Sequence, residues 1–401
     1  MMKNFLSFTV LVFICIACIK TKSVTADTLA STSSEKDQFL VIDVTKKYPK
    51  SERICIQDIA DVEYIALEAN ANFLCNGTVD YIDNDCIIYG NRDGAILIFD
   101  RQGKAKHKIK RKGQGGQEYV TLNSLLYDKE KNELYVNDMW QKKILVYDIE
   151  GHYKRRFPHL PGSQYKEIYL FDNQCLLCYN ISGDNFDKEK HPYKIVAKET
   201  GKLVKELDIP FSKRVTATYS FTKDGALYLV PVNPYPEWAV RTGNAWILNE
   251  VSSDSIYQLM DDYTLKPVMA QTPSVQSMGE NPQYIGFVMD NYHYQFMFIQ
   301  KKEFDIKTQT GFPTTSIMYD KKTGKIFGQN FYNANCPDQD FYFDRNHTNQ
   351  MAESNQYFYT FDASELKDLL TKGKLTGRLK EIAGKIDEDD NPVLMIITFR
   401  K

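Results

Sequence analysis

Two stretches of this chain gather side chains that could hold a ligand. The first runs Arg111-Lys112-Gly113-Gln114-Gly115-Gly116-Gln117-Glu118-Tyr119. Its glycines let backbone N–H groups line a concavity for a phosphate or carboxylate. Arg111 and Gln114 would add charge and hydrogen bonds, with Glu118 and Tyr119 closing the segment. No Gly-Lys-Ser/Thr follows, so this is not a nucleotide-binding P-loop. The plainer alternative is a tight connection between two structural units. The second stretch, residues 231–246, reads PVNPYPEWAVRTGNAW. Tyr235, Trp238, Arg241 and Trp246 stand on a segment stiffened by prolines, which suits a platform for a sugar ring or a peptide. The alternative is a stiff loop whose aromatics pack down. The third tryptophan, Trp140, is expected in the core.

Other reactive side chains do not form a recognisable constellation. The histidines are His107, His152, His159, His191, His293 and His347, and none shows metal-ligand spacing. There is no G-x-S-x-G elbow. Carboxylate pairs such as Asp338/Asp340 and Asp389/Asp390 leave glycosidase chemistry open, because its two carboxylates need not be close in sequence. Cys175 and Cys178 form a CxxC inside the strand-like run CLLCY. Three residues along a strand place the two about 10 Å apart on opposite faces, beyond disulfide reach. They are expected as buried free thiols. No catalytic residue, metal or cofactor is expected.

The elements that must position these groups are strands. The chain has 401 residues, 26 Tyr and 23 Phe, and is 43% hydrophobic, a composition that favours sheets over helices. Lys+Arg number 50 against 52 Asp+Glu, a net charge of -2. No bulk attraction to nucleic acid or an anionic membrane follows. Residues 96–103 read ILIFDRQG and residues 144–151 read ILVYDIEG: an apolar run, an aromatic, Asp, then Gly. Residues 198–202 (KETGK) are echoed by 321–325 (KKTGK). Gly103 to Gly151 is 48 residues, Gly151 to Gly201 is 50, and Gly201 to Gly324 is 123, close to two longer periods. Between these units stand polar turns before short apolar runs, at 83–89, 132–136, 172–178 and 224–229, the signal of hairpins. Three or four such strands at this period make one blade of a β-propeller.

Near the C-terminus, Asp362 is a helix N-cap candidate with Glu365 as its capping-box partner, and Leu366, Leu369 and Leu370 share a face. A second short helix is expected within 378–386, then a final strand over 393–399. A ring must join its ends, so strands at 62–67 and 39–44 are expected to pair with 393–399 in one blade.

The N-terminus carries an address. A basic start precedes an apolar stretch, residues 5–17, too short to span a bilayer comfortably. It ends Cys15-Ile16-Ala17-Cys18, which resembles the lipobox of bacterial lipoproteins, with Cys15 where that motif has Leu. The resemblance implies a signal peptide over 1–17 and a lipidated Cys18. Residues 18–38 read as a polar disordered tether, with no acidic cluster of the surface-export kind, so a periplasm-facing position is favoured over surface display. Asp27-Thr28-Leu29 and Asp254-Ser255-Ile256 resemble O-glycosylation acceptors of Bacteroidetes, at Thr28 and Ser255.

From residue 39 to 401 the chain resembles the six-bladed β-propeller lipoproteins of Bacteroidetes, themselves similar to NHL-repeat propellers. The resemblance rests on residues 62–68 (VEYIALE), the glycine loop 112–119, where the family has Pro at the position of Gly116, and residues 389–394 (DDNPVL). It implies a single all-β domain over 39–401: a six-bladed propeller with a short helical insertion, about 363–386, before the closing strand. Such a protein is expected to be an exported, lipid-anchored monomer that binds a glycan, peptide or protein. It would touch the membrane through its lipid and would not bind nucleic acid. The competing reading is a lyase or hydrolase acting on a glycan or peptide in the central pocket.

Overall fold

The structure is a computed structural model that describes residues 39–181, 191–216, 218–232, 238–344, 348–350 and 356–401. Blade 1 comprises Gly77–Ile82, Cys86–Asn91, Ala95–Asp100 and Ala105–Lys110. Blade 2 comprises Ser124–Asp128, Glu133–Asp138, Lys143–Tyr147 and Tyr153–Pro158. Blade 3 comprises Tyr165–Leu170, Cys175–Asn180, Tyr193–Ala197 and Leu203–Leu207. Blade 4 holds Ala239–Thr242, Ala245–Leu248, Ser255–Leu259 and Leu265–Thr272, with Leu40–Asp43 added outside. Blade 5 comprises Gln283–Asp290, Tyr294–Lys301, Thr314–Asp320 and Lys325–Gly328. Blade 6 is the smallest, Phe331–Asn333 and Cys336–Phe341 with Ile54–Cys55. Blade 7 comprises Thr348–Gln350, Gln356–Phe361, Val393–Phe399 and Ala60–Ala66.

The expected propeller is therefore present, but with seven blades rather than six. Blade 6 escapes a repeat search because it has no Asp-x-x-Gly turn and borrows a two-residue strand from the other end of the chain. Inside each regular blade the strands are hydrophobic on both faces, as sheets packed on both sides must be. In Ala95–Asp100, Ile96 and Ile98 pack with Leu125, Val136 and Leu145 of blade 2. Leu97 and Phe99 pack with Ile65, Phe358, Leu394 and Ile396 of blade 7. One strand thus joins the first and last blades into a closed ring.

The recurring glycine explains how neighbouring blades mesh. Gly103, Gly151 and Gly201 all have positive φ, 81°, 85° and 68°. Each lies against the outer strand of the preceding blade, so closely that a Cβ would meet Ala66 O at 2.3 Å, Ile109 Cγ2 at 2.9 Å and Phe157 Cδ2 at 2.6 Å respectively. Only a residue without a side chain fits the turn and the contact together. Gly324 keeps the turn, at φ 67°, but touches no neighbouring blade.

Closure differs in part from expectation. Val393–Phe399 is an interior strand, paired with Gln356–Phe361 on one side and with Ala60–Ala66 on the other, in register from Ala60↔Phe399 to Ala66↔Val393. Leu40–Asp43 does not join it; it pairs in parallel with Leu265–Thr272 of blade 4. Between these points Lys50 bridges Gly328 of blade 5, and Ile54–Cys55 pairs with Phe331–Asn333 of blade 6. Residues 40–66 therefore form a belt that meets blades 4, 5, 6 and 7 in turn.

The helical insertion lies where the sequence put it, as Ala363–Thr371 and Gly377–Ala383, with Leu366, Leu369 and Leu379 buried. Asp362 occupies the N-cap but its side chain makes no capping hydrogen bond, so the capping box is not formed. Among the described residues no helix is long and apolar enough to cross a membrane.

Candidate functional site

In an antiparallel meander, the turns joining the middle two strands and the connections to the next blade share one end of the strands. That end, here the upper face, contains the glycine loop, the described parts of the connection between blades 3 and 4, and the long turns of blades 4 and 5.

The glycine loop is built as a self-filled connection. Gly113 N–H donates to Tyr119 O (2.9 Å), Tyr119 N–H to Arg111 O (3.2 Å), and Gly115 N–H to the Glu118 carboxylate (2.8 Å). A Cβ on Gly113 would meet that same carboxylate at 2.1 Å. The concavity expected to receive an external anion thus already holds Glu118. Its carbonyls are spoken for as well: Arg156, Tyr147 and Lys143 of blade 2 donate to the oxygens of Gly116, Gln117 and Glu118 at 2.6, 2.8 and 3.0 Å. Tyr119 is buried, its hydroxyl donating to Gly94 O (2.6 Å). Gln114 is exposed. Arg111 leaves the loop altogether, its Nε donating to Gly151 O (2.9 Å).

The proline-rich segment is not a platform in its described part. Trp238 is 3% exposed and stacks on Tyr179 at 4.1 Å and 7°. Trp246 is 7% exposed, contacts Tyr169 at 5.5 Å, and lies under the Arg241 guanidinium at 5.3 Å. Arg241 also donates to Phe171 O and Gly243 O. Arg241 and Trp246 face each other across strands Ala239–Thr242 and Ala245–Leu248, toward the end opposite Trp238. Trp238 is therefore separated from the Arg241–Trp246 pair, and both tryptophans are packed down. Tyr235, Cys18 and Thr28 lie outside the described residues. Ser255 is half-buried at the start of its strand. Trp140, expected in the core, is 65% exposed in the turn between the middle strands of blade 2.

The group that sequence reasoning missed stands immediately before that segment. Thr218–Lys223 and Ala226–Pro231 form a separate two-stranded hairpin that joins no blade. Phe221 stacks on Tyr228 (5.1 Å, 8°), and Tyr219 and Phe221 contact Phe304. Phe304 belongs to a second small hairpin, Phe304–Asp305 with Thr310–Gly311, rising from blade 5, and it stacks on Phe312. The aromatic contacts tie the hairpin to blade 5 through one face, while Leu227 and Leu229, on the face opposite Tyr228, remain 67% and 64% exposed. At its foot, Lys302 Nζ donates to Thr216 Oγ1 (2.8 Å); burial, and then the Lys213 ammonium, holds Lys302 below the usual lysine range.

Beneath the hairpin a buried polar cluster fixes the connection. Arg214 and Glu250 have fully buried side chains 3.7 Å apart. Glu250 accepts from the Tyr179 hydroxyl (3.0 Å) and from Ser252 N–H and Oγ (3.0 and 2.5 Å); Arg214 donates to Asn180 O (2.6 Å). Val215 N–H donates to Ser252 Oγ (2.8 Å). Burying such a pair costs desolvation that the hydrogen bonds to it offset, so the pair is weak evidence of added stability, whereas removing one partner would leave a buried charge. His159, also buried, accepts from Tyr165 N–H through Nδ1 and faces Asn137 Oδ1 through Nε2. Both ring nitrogens are committed to the neutral form, and burial pushes its pKa down to about 3. Among the described residues no three His, Cys, Asp or Glu side chains cluster to hold a metal. Cys175 and Cys178 are free and buried on opposite faces of their strand, as expected.

A closed ring of small antiparallel sheets, each a blade, defines a β-propeller. The chain belongs to the family described as Domain of unknown function (DUF4934), whose signature spans residues 39–398. No curated protein matches it. Among solved structures it is similar to a candidate exported protein of Bacteroides fragilis, at 14% identity and TM-score 0.63, over 91% of this chain and 100% of that one. It is also similar to a DUF4221-family member from Bacteroides vulgatus, at 10% identity and TM-score 0.50, over 86% and 99%. These likenesses are of fold alone.

Proposed function

We propose that this protein is an exported, lipid-anchored binding module that presents the upper face of blades 4 and 5 to a polypeptide partner. The observation that carries this reading is the hairpin. Leu227 and Leu229 stand exposed on one face of a strand with an open edge, while Tyr228, on its other face, stacks on Phe221. Apolar side chains exposed together mark interaction surfaces, and tyrosine is enriched among the residues that dominate binding energy. An open strand edge also accepts an extended peptide through backbone hydrogen bonds, with alternate side chains setting specificity. Attachment through Cys18 and the 18–38 tether would leave the propeller free to turn its face to that partner, on the periplasmic side.

The test is site-specific photocrosslinking in the envelope. A photoreactive side chain at Tyr228 is expected to yield one discrete protein adduct, lost on Leu227→Asp with Leu229→Asp. A probe at Tyr228 that yields no adduct, or one indifferent to those substitutions, would sink the reading. Fractionation tests the anchor: Cys18→Ala should leave the membrane pellet after a carbonate wash, since acyl chains contribute about 0.8 kcal/mol per buried CH₂.

A further inference from the structure

The register of the 218–231 hairpin fixes which of its backbone groups are free. Asp224 and Gly225, at φ 51° and 78°, form a two-residue turn of the primed type. Such a turn closes on a hydrogen-bonded pair, here Lys223↔Ala226, and the pairing alternates from there. Phe221↔Tyr228 and Tyr219↔Val230 are then hydrogen-bonded, whereas Leu227 and Leu229 turn their N–H and C=O groups outward. Pro231 fits this phase, since the N–H it lacks would also point outward. Among the described residues nothing pairs with the outer edge of Ala226–Pro231.

Other open edges of the molecule are guarded. The outer strands of blades 1, 2 and 3 carry Lys106 and Lys108, Lys154 and Arg156, and Lys205, charges of the kind that discourage edge-to-edge pairing. The hairpin's other strand turns Thr218, Ser220 and Thr222 outward, and Thr218 O already accepts from Thr216 Oγ1 (2.8 Å). Ala226–Pro231 carries no charge at all. An antiparallel copy of the same strand complements it. With a two-fold axis at Tyr228, Leu227 of each copy faces Leu229 of the other, and each such pair exchanges two backbone hydrogen bonds. Four bonds form, and Pro231 stops the ladder there. The leucines of both copies gather on one face, and the two Tyr228 side chains meet on the other. No like charges are brought together, so the edge is complementary to itself.

Given the hairpin's proposed role as the interacting element, we infer that its partner is a second copy of this chain, joined through the two Ala226–Pro231 edges into a two-fold dimer in place of the expected monomer.

The test uses the full chain carrying Cys18→Ala, so that no acyl chain contributes, and cysteine trapping reads the register. Tyr228→Cys would oppose its own copy at a Cα separation of about 4.5 Å, within disulfide reach, and should be linked into a dimer by mild oxidation. Leu227→Cys should link to Leu229→Cys when the two are mixed, but not to itself, because its own copy lies two residues out of register. The chain without an added cysteine gives the background from its native thiols. In sedimentation the dimer should be concentration-dependent. Leu229→Pro removes two of the four inter-copy bonds by symmetry and none within the hairpin, and should weaken the dimer about tenfold or more. A monomer at every concentration, or Leu227→Cys linking to itself as readily as Tyr228→Cys, would overturn the dimer. The photocrosslink at Tyr228 separates the two readings. An adduct of twice the chain's mass supports self-pairing. An adduct with a different protein overturns self-pairing and leaves the hairpin as the interacting element, and no adduct removes both.

Discussion

In blades 1 to 3 every strand comes from one continuous stretch of chain, residues 77–207, whereas blades 4 to 7 each take a strand or a bridge from residues 40–66. The first group meshes through glycine: Gly103, Gly151 and Gly201 each seat a turn on the blade before. The second is held by a belt, and it carries the upright hairpins and the helices. Local repetition leaves little room for additions, because each turn is already wedged against a neighbour. Blades strapped from outside can be interrupted by a hairpin or a helix without loosening the ring, and the exposed leucines of the 218–231 hairpin stand beside them.

The largest expected effect would come from removing residues 393–401. This takes out an interior strand of blade 7 and both of its ladders, and should abolish cooperative unfolding and leave aggregated protein. A monomer with an unchanged melt would mean that the belt and ring are not coupled. Next, Trp238→Ala should cost about 3–5 kcal/mol in denaturant unfolding, as for other buried Trp truncations, and Trp140→Ala less than about 0.5 kcal/mol. Similar values would refute the assignment of one to the core and the other to the surface.

The comparison between the two groups of blades is sharpened by a glycine pair. Gly324→Ala carries only the strain of left-handed backbone, about 1 kcal/mol. Gly103→Ala adds an overpacked blade contact, raising the loss to about 3 kcal/mol. Equal losses would show that the glycines serve the turns alone.

Acid should act mainly on the repetitive half. His159, at about 3, lies below its unfolded 6.5, and Glu133 lies at about 2 against 4.5. Burial opposes the Glu133 charge, but Arg155, Tyr135 and Lys154 bonded to it prevail. In both cases the unfolded chain binds more protons inside the window. Their stabilisation is therefore complete above the unfolded value and lost on acidification, between pH 6.5 and about 3 for His159 and between 4.5 and about 2 for Glu133. His159→Gln should flatten the melting temperature across the upper window; an unchanged slope would place the loss elsewhere. The smallest effect on stability belongs to Leu227→Ser with Leu229→Ser, within about 0.5 kcal/mol, although the crosslink at Tyr228 should vanish.

What the sequence conveyed follows the same division. The aromatic-Asp-x-x-Gly turns were legible because their constraint is local, φ and a missing Cβ. The strand 393–399 and its pairing with 60–66 were legible because a ring must close. Blade 6 was not, since its pairing joins residues 54–55 to 331–332, and nothing local marks that contact. Asp224-Gly225 was correctly read as a hairpin turn, yet Ala226-Leu227-Tyr228-Leu229-Val230, apolar on both faces, has the pattern of a buried blade strand. Exposure there is a tertiary fact. The glycine loop misled for a related reason: Glu118 was counted among groups waiting for a ligand, while its carboxylate occupies the place a ligand would take. Residue type alone puts Trp140 in the core, but its place in the turn between the middle strands of blade 2 leaves it 65% exposed.

The belt has a consequence for time as well as shape. Residues 60–66 have no strand to pair with until 393–399 have been made, and residues 40–43 wait for 265–272. A nascent chain emerging from its N-terminus thus holds strand 40–43 unpaired through about two thirds of synthesis and strand 60–66 through nearly all of it. Contacts so distant in sequence form slowly, because a long loop must close before they stabilise anything. A chain that folds late is one that can still be threaded through a narrow pore, so the same belt that locks the finished ring keeps the unfinished one transportable.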